Sequence, residues 1–153
     1  MDEADLPSMT AISDAVHGEY TEPMAVYAER LALYPDGCSV LERDGAVTGF
    51  LVCHPWLGEN PPGLGKPIGA IPSQPDHYYL HDIALLPSER GSGAGKAAVA
   101  LVEQQAARAG LATIALVAVN GADSFWSSQG FAYATGGASG PYGAGTFLMR
   151  RYL

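Results

Sequence analysis

Positive charge is scarce in this chain. Only eight of its 153 residues are Lys or Arg, against 16 Asp or Glu, which gives a net charge of -8 and a pI near 4.7. Proteins that bind nucleic acids need clustered Lys and Arg to neutralise phosphates, and eight such residues spread along the chain form no basic stripe. The composition therefore argues against a nucleic-acid partner. It fits a positively charged substrate such as an amine, and it also fits an acidity that serves solubility alone.

Cysteine and long apolar runs are also scarce. The chain has two cysteines, Cys38 and Cys53, with no metal-ligand spacing around them, so neither a disulfide framework nor a metal site is predicted. No apolar run reaches ~18 residues, the length at which a membrane-spanning helix becomes a candidate. The acidic start of the chain lacks the basic and apolar regions of a signal peptide. We therefore expect a cytoplasmic protein with no metal and no contact with membranes.

Apolar residues make up 48% of the chain and charged residues 16%, a balance typical of one globular domain with a buried core. Stretches with a helical period alternate with β-rich stretches. Helices are predicted from residue 5 to between 16 and 20, and at 22–33, 94–109 and 123–129. Strands are predicted at 38–42, 46–54, 78–86, 113–119, 131–134 and 146–152, the last two joined by a glycine-rich segment at 136–145. We expect a single α+β domain over residues 1–153, with a mixed, mostly antiparallel sheet flanked by helices.

Residues 57–77 interrupt this order. They hold five of the eleven prolines, with four glycines among them, which excludes a regular helix or a central strand. Loops this long inside a compact domain are often lids or binding loops, and sometimes only mobile insertions. Both interpretations stay open at this point.

The turn at residues 90–95 follows a predicted strand and opens a predicted helix. The first N–H groups of a helix lack internal partners and carry the positive end of its dipole, so they bind phosphates well. Glycines there permit close approach because they have no Cβ. A P-loop needs glycine where Arg90 stands and Ser or Thr where Ala97 follows Lys96, so that motif is excluded. A dinucleotide-binding fold fits poorly, since no acidic residue ends the next strand.

Arg90-x-x-Gly93-x-Gly95 matches the Gln/Arg-x-x-Gly-x-Gly/Ala signature of the GNAT acetyltransferase superfamily. As in that family, the motif follows a strand that ends in a proline turn (83–87) and opens a long helix. The resemblance continues in a segment similar to the family's Asn-x-x-Ala…Tyr-x-x-x-Gly-Phe, here with Asn120, Ala122, Phe125 and Gly130-Phe131, and in a final strand at 146–149. It covers nearly the whole chain, and only the family's first strand has no counterpart before Asp5.

Two shorter strings, at 50–56 and 80–85, resemble the arylalkylamine N-acetyltransferase branch, which has a similar Trp-ending strand, a substrate loop and a Leu-His motif. This likeness suggests a small-molecule amine as the acceptor. The wider resemblance implies that acetyl-CoA is the co-substrate and that the amine attacks its thioester directly. The residues implied to bind this cofactor are Ile83, Leu85, Arg90, Gly91, Ser92, Gly93, Ala94, Gly95, Lys96, Asn120 and Trp126.

His81 is the candidate general base, because imidazole titrates near neutral pH and the amine must lose a proton before it attacks. Strand alternation places Tyr79, His81, Ile83 and Leu85 on one face, and Tyr79 and Asp82 are candidate members of a proton relay. A buried structural role for His81 is equally open. The resemblance implies that the backbone N–H of Leu85 stabilises the oxyanion.

The chain departs from the family at one position. The family commonly has a general-acid tyrosine four residues before its Gly-Phe pair, and Trp126 stands there. An indole N–H is a hydrogen-bond donor but not a usable acid. Either water, Tyr133 or Tyr142 protonates the CoA thiolate, or turnover is slow. Besides a small-molecule enzyme, this leaves open an acyl-CoA-binding regulatory module with weak or no catalysis, and a protein N-acetyltransferase. We expect a monomer or a homodimer.

Overall fold

A computed structural model describes residues 1–134 and 140–153 of the chain. The helices are α1 (Leu6–His17), α2 (Met24–Leu33), α3 (Ala94–Arg108) and α4 (Asp123–Ser128). The strands are β1 (Cys38–Arg43), β2 (Ala46–Trp56), β3 (His77–Leu85), β4 (Thr113–Ala118), β5 (Ala132–Tyr133) and β6 (Phe147–Tyr152). Every predicted helix and strand is present, with ends that differ by a few residues. Of the glycine-rich segment predicted at 136–145, residues 136–139 lie outside the described residues.

Local sequence explains where several elements begin and end. Pro7 stands in the first turn of α1, where its missing N–H costs no hydrogen bond. Asp44 and Gly45 both have positive φ and join β1 to β2 in a two-residue turn, the geometry that matches strand twist. Gly110, with a φ of +71°, follows the end of α3.

The six strands form one sheet in the order β1-β2-β3-β4-β6-β5. All neighbours are antiparallel except β3 and β4, which are parallel, so the predicted mixed and mostly antiparallel sheet is confirmed. Helices α1 and α2 pack on one face, where Met9 and Tyr27 meet Phe50. Helix α3 packs on the other face, where Val99 and Val102 join the second core.

The sheet opens between β3 and β4. Their pairing runs only from Tyr78↔Ile114 to Leu80↔Leu116, while β3 stays paired with β2 as far as Leu85. Over residues 81–85, the edge of β3 that faces β4 therefore has no strand partner among the described residues. The opening lies in front of the turn that leads into α3.

A β-bulge in β3 changes which residues share a face. Val52 pairs with Asp82 and the next residue, Cys53, pairs with Leu80, so His81 is an extra residue between Leu80 and Asp82. The prediction that Tyr79, His81, Ile83 and Leu85 share one face is wrong. Ile83 packs against the core on the α3 side and Leu85 meets α3. His81 and Asp82 instead bond Glu22 and Tyr27 on the α1–α2 side, and Tyr79 contacts Tyr142.

Residues 57–76, between β2 and β3, contain no helix or strand, as predicted. Within the ranges that the structure covers, no helix is long and apolar enough to span a bilayer.

Candidate active site

A cavity of about 440 Å³ occupies the opening between β3 and β4. Arg90 and Gly95 line it beside the turn, and Trp126 lines it from α4. Glu22, His81 and Tyr142 also line it, so groups suited to proton transfer share one space with the glycine turn. Residues of the turn, Trp126 and His81, which the sequence analysis named as candidate site residues, all line this cavity.

The turn has the geometry of an anion cradle. Gly91 and Gly93 have φ values of +77° and +88°, and a Cβ built on either would meet no atom within 4 Å. Among the described residues, the N–H groups of Gly91, Gly93, Gly95 and Lys96 find no internal acceptor, whereas Ala94 N–H donates to Ser92 Oγ at 3.2 Å. Helix α3, 15 residues long, adds its dipole at the same point. This turn therefore offers several free donors to a diphosphate.

Glu89 anchors the start of the turn. Its carboxylate accepts two hydrogen bonds from Arg43, from Nε at 2.8 Å and from Nη2 at 2.7 Å. Its carbonyl accepts from both the N–H and the hydroxyl of Ser92, at 3.2 and 2.8 Å. The β1 end of the sheet thus holds the turn in place, a constraint that the sequence pattern did not reveal.

Replacing Glu89 by glutamine tests this anchor through pH. The pKa of Glu89 is lowered to about 2, mainly by the hydrogen bonds from Arg43. In an unfolded chain the pKa of a glutamate is about 4.3. A carboxyl with a depressed pKa stabilises the fold above its unfolded value and loses that contribution as pH falls toward its folded value. We expect the Tm difference between wild type and Glu89→Gln to be largest near neutral pH and to close between about pH 4 and pH 2.

Thermal denaturation across a pH series measures this difference. Glu103→Gln removes a partly exposed pair with Arg151, at 2.8 Å, and is the matched control with little expected effect on Tm. A Tm difference for Glu89→Gln that is the same at pH 2 and pH 7 would contradict the assignment.

His81 is held by Glu22. The His81 Nε2 atom lies 2.7 Å from Glu22 Oε2, and the other carboxylate oxygen of Glu22 accepts the N–H of Gly65 at 2.6 Å. Both side chains are almost fully buried, and His81 Nδ1 has no partner among the described residues. Burial raises the pKa of Glu22, but the hydrogen bond and charge of His81, the N–H of Gly65 and the charge of Arg30 together outweigh burial and leave that pKa lowered. A charged carboxylate that orients an imidazole is a common arrangement for moving a proton.

Asp82 forms a second carboxylate–imidazole pair. Asp82 Oδ1 lies 2.6 Å from His17 Nε2, and Asp82 Oδ2 accepts the hydroxyl of Tyr27 at 2.8 Å. Tyr27 also lies 2.6 Å from Ser13 Oγ. Burial lowers the pKa of His17, but the hydrogen bond and charge of Asp82, with the charge of Glu22, leave it raised. Sequence reasoning named Asp82 and missed His17 and Glu22, because only folding brings the end of α1 to β3.

The tyrosines divide by position. Tyr79 is fully buried, and burial raises its pKa well above the ordinary range, which suits it poorly for a proton relay. Its hydroxyl lies 3.2 Å from that of Tyr142, which donates to the carbonyl of Pro62 at 2.7 Å. Burial raises the pKa of Tyr142 to about 12. Tyr133 hydrogen-bonds Asp123 at 2.6 Å and lies outside the cavity, so Tyr142 is the better placed of the two tyrosines named as replacement acids.

The remaining predicted cofactor contacts lie around the opening. Ile83 and Leu85 line the cavity on the free edge of β3, where an extended ligand finds unpaired backbone groups. Trp126 lines it too, but its ring is buried against Phe131. Asn120, with a φ of +53°, donates from Nδ2 to the carbonyl of His17 at 3.2 Å. That contact ties the end of β4 to the end of α1 across the opening.

The 57–76 segment is docked on the side of the cavity where Glu22 and Tyr142 lie. The carbonyl of Pro62 accepts a hydrogen bond from Tyr142, and the N–H of Gly65 donates to Glu22. The segment therefore contacts both the β5–β6 connection, which holds Tyr142, and the α1–α2 connection, which holds Glu22. Glu29 accepts N–H groups further along the segment, from Ile68 and Gly69, at 3.0 and 2.9 Å. In the described ranges, no group of three or more His, Cys, Asp or Glu residues is placed to hold a metal ion.

Comparison with known proteins identifies a family and a shared fold. The family model described as "Acetyltransferase (GNAT) family" matches residues 6–131. A search of curated protein sequences finds no match. Many solved structures share the fold, among them Ard1 from Thermoplasma volcanium, at 15% identity and a TM-score of 0.76, with 100% of this chain and 94% of that chain covered.

Two further neighbours act on different acceptors. The ribosomal-protein-S18-alanine N-acetyltransferase from Escherichia coli aligns at 18% identity and a TM-score of 0.68, covering 99% of this chain and 90% of that one. N-acetylglutamate synthase from Neisseria gonorrhoeae, complexed with coenzyme A and N-acetyl-glutamate, aligns at 15% identity and a TM-score of 0.75, covering 99% of this chain and 34% of that one. The family model spans most of the chain and the fold agrees with it, so the protein belongs to the GNAT family of acetyltransferases.

Proposed function

We propose that this protein transfers an acetyl group from acetyl-CoA to the primary amine of a small molecule. The observation that carries the proposal is that one cavity is lined both by residues of the glycine turn and by the His81–Glu22 pair. A donor site and a proton acceptor that open into one space are what direct transfer between two substrates requires.

The donor half of the proposal rests on the turn and the open edge of β3. The free N–H groups at residues 91–96 suit the pyrophosphate, with Arg90 adding charge beside them. Ile83 and Leu85 offer unpaired backbone to the pantetheine arm, and the N–H of Leu85 is our candidate for stabilising the oxyanion. Structural neighbours bound to CoA or isobutyryl-CoA support this use of the fold.

The acceptor half rests on His81. An ammonium group has no lone pair, so His81 accepts a proton from it while Glu22 holds the ring and balances the imidazolium charge. The neutral amine then attacks the thioester carbonyl, the N–C bond forms, and the C–S bond breaks with its electron pair on sulfur. The negative charge of the chain also favours a cationic acceptor over an anionic one.

The docked loop supports a small acceptor over a polypeptide. Leu64 lines the cavity, and its neighbours Pro62 and Gly65 are tied to Tyr142 and Glu22. The loop thus lies across the acceptor end, where an extended peptide would need an open groove. Cytoplasmic location, a state of monomer or homodimer, and the absence of metal, membrane and nucleic-acid partners stay predictions.

A panel of acceptors tests the proposal by release of free CoA thiol. Because the docked loop lies where an extended peptide would need a groove, we expect turnover with small primary amines and at least about tenfold lower kcat/KM with peptides, a difference of about 1.4 kcal/mol. Faster turnover with peptide N-termini would favour a protein N-acetyltransferase instead. Acetyl-CoA binding without thiol release from any amine would favour the regulatory module that Trp126 leaves open.

A further inference from the structure

The second carboxylate–imidazole pair of the cavity, His17 with Asp82, has no part in the mechanism so far. The reaction also lacks a donor for the CoA sulfur, because Trp126 carries no usable acid. We propose that His17, oriented by Asp82, donates the proton that the departing CoA thiolate takes up. This inference rests on the proposed acetyl transfer and extends it to the leaving group.

His17 stands at the opening that the donor would occupy. Its side chain lines the cavity and is 13% exposed, against 2% for His81. Its carbonyl is tied to Asn120 at the end of β4, and its ring is tied to Asp82 on β3. His17 is therefore fixed to both strands that flank the opening, rather than to the loop side where Glu22 holds His81.

The hydrogen bonds around His17 leave one proton free to move. Nε2 faces Asp82 Oδ1 at 2.6 Å, and Nδ1 has no hydrogen-bond partner among the described residues. In the imidazolium form, Nε2 donates to the carboxylate and Nδ1 carries the second proton. Asp82 is itself hydrogen-bonded by Tyr27, and Tyr27 by Ser13, so this chain of hydrogen bonds fixes the orientation of the His17 ring.

The charges around His17 favour its protonated form. Asp82 from β3 and Glu22 from the α1–α2 connection are the carboxylates that act on it, and together they outweigh burial and raise its pKa. Tyr27 from α2 reaches it only through Asp82, and Asn120 from β4 is neutral. An acid must hold its proton near neutral pH and yield it readily, which a histidine with a raised pKa does.

The other proton-bearing groups of the cavity suit this step less well. Tyr142 donates its hydroxyl proton to the carbonyl of Pro62, and burial raises its pKa to about 12. His81 is engaged with Glu22 and takes up the amine proton. Tyr20 also lines the cavity and is the remaining competitor.

The proton balance closes. The amine nitrogen loses two protons in total, one before attack and one as the amide forms; His81 takes up each in turn and passes it to solvent. The sulfur takes one proton from His17 Nδ1, and His17 regains it from water. Each turnover therefore releases one proton to solvent, as the conversion of an ammonium and a thioester to an amide and a thiol requires.

The pH dependence of kcat tests the proposal in the full-length protein. In wild type, kcat should fall as pH rises through the raised pKa of His17, because the acid is lost. His17→Gln, which keeps a donor for Asp82, should lower kcat about 100-fold and remove this alkaline limb. Asp82→Asn should move the limb to lower pH. His77→Gln, from a His–Asp pair outside the cavity with Asp76 at 2.5 Å, should leave the limb in place.

A second measurement needs no acceptor amine. The ultraviolet absorbance of bound CoA reports its thiolate, and the imidazolium of His17 should let that thiol ionise at lower pH in wild type than in His17→Gln. Equal thiol titrations in the two proteins, or an alkaline limb that survives in His17→Gln, would overturn the role of His17 and leave the proposed acetyl transfer untouched. Loss of that limb in Tyr20→Phe would then identify Tyr20 as the acid. Failure of wild type to bind CoA would overturn the proposed function and this inference together.

Discussion

Acetyl-CoA should protect wild-type protein against thermal unfolding and should not protect Gly93→Val. Gly93 has a φ of +88°, and a Cβ built there would meet no protein atom within 4 Å, so we expect a valine side chain to occupy space that the diphosphate needs. A ligand at a hundred times its Kd stabilises by about 2.7 kcal/mol. At about 2–4 °C per kcal/mol for a domain of this size, the wild-type Tm should rise by roughly 5–10 °C.

The backbone cost of valine needs its own control. A residue with a Cβ in the left-handed region costs roughly 1–2 kcal/mol, so the Tm of unliganded Gly93→Val should fall. Gly110→Val carries the same kind of strain, at a φ of +71° with open space around it, at the other end of α3 and away from the cavity. Gly110→Val should lose stability and keep the acetyl-CoA shift. An equal ligand shift in the two variants would remove the turn from the site.

His81→Gln should lower kcat/KM for the amine by about 10²–10⁴-fold, the usual contribution of a positioned general base. Glutamine keeps a donor for Glu22, so the buried carboxylate stays paired, but it accepts no proton at neutral pH. The acidic limb of the wild-type profile, where the base becomes protonated, should disappear. Affinity for acetyl-CoA should change little, because His81 is not part of the glycine turn and its Nε2 atom is engaged with Glu22.

The measurement is kcat/KM as a function of pH, with an amine whose own pKa lies above the pH range of the experiment. Ionisation of the amine then adds the same slope to the profiles of wild type and of each variant. His77→Gln is again the matched control, since His77 is a buried histidine paired with a carboxylate outside the cavity. An acidic limb that is unchanged in His81→Gln would leave His81 with a structural role only.

Much of the fold follows from local signals. The helix and strand periods, the Asp44-Gly45 turn and the glycine after α3 are short-range features, and each predicted element is present. The turn at residues 90–95 was also readable, because its glycines and its place between a strand and a helix are contiguous in sequence. The family resemblance then supplied the ligand expected there.

The acceptor end was not readable in the same way. A bulge at His81 shifts the faces of β3, and no local sequence pattern indicates an extra residue between Leu80 and Asp82. His17 ends helix α1 and Glu22 lies in the connection between α1 and α2, and polar residues are ordinary at both places. Their meaning appears only when α1 packs against β3, a contact 59 to 65 residues distant in sequence.

Calorimetric titration of acetyl-CoA into the unliganded protein measures whether the glycine turn binds this ligand. We expect one acetyl-CoA bound per chain by wild type and by Gly110→Val, and none by Gly93→Val at the same concentrations. No binding to wild type, or equal binding to all three proteins, would contradict the claim that the glycine turn and the opening between β3 and β4 form an acetyl-CoA site.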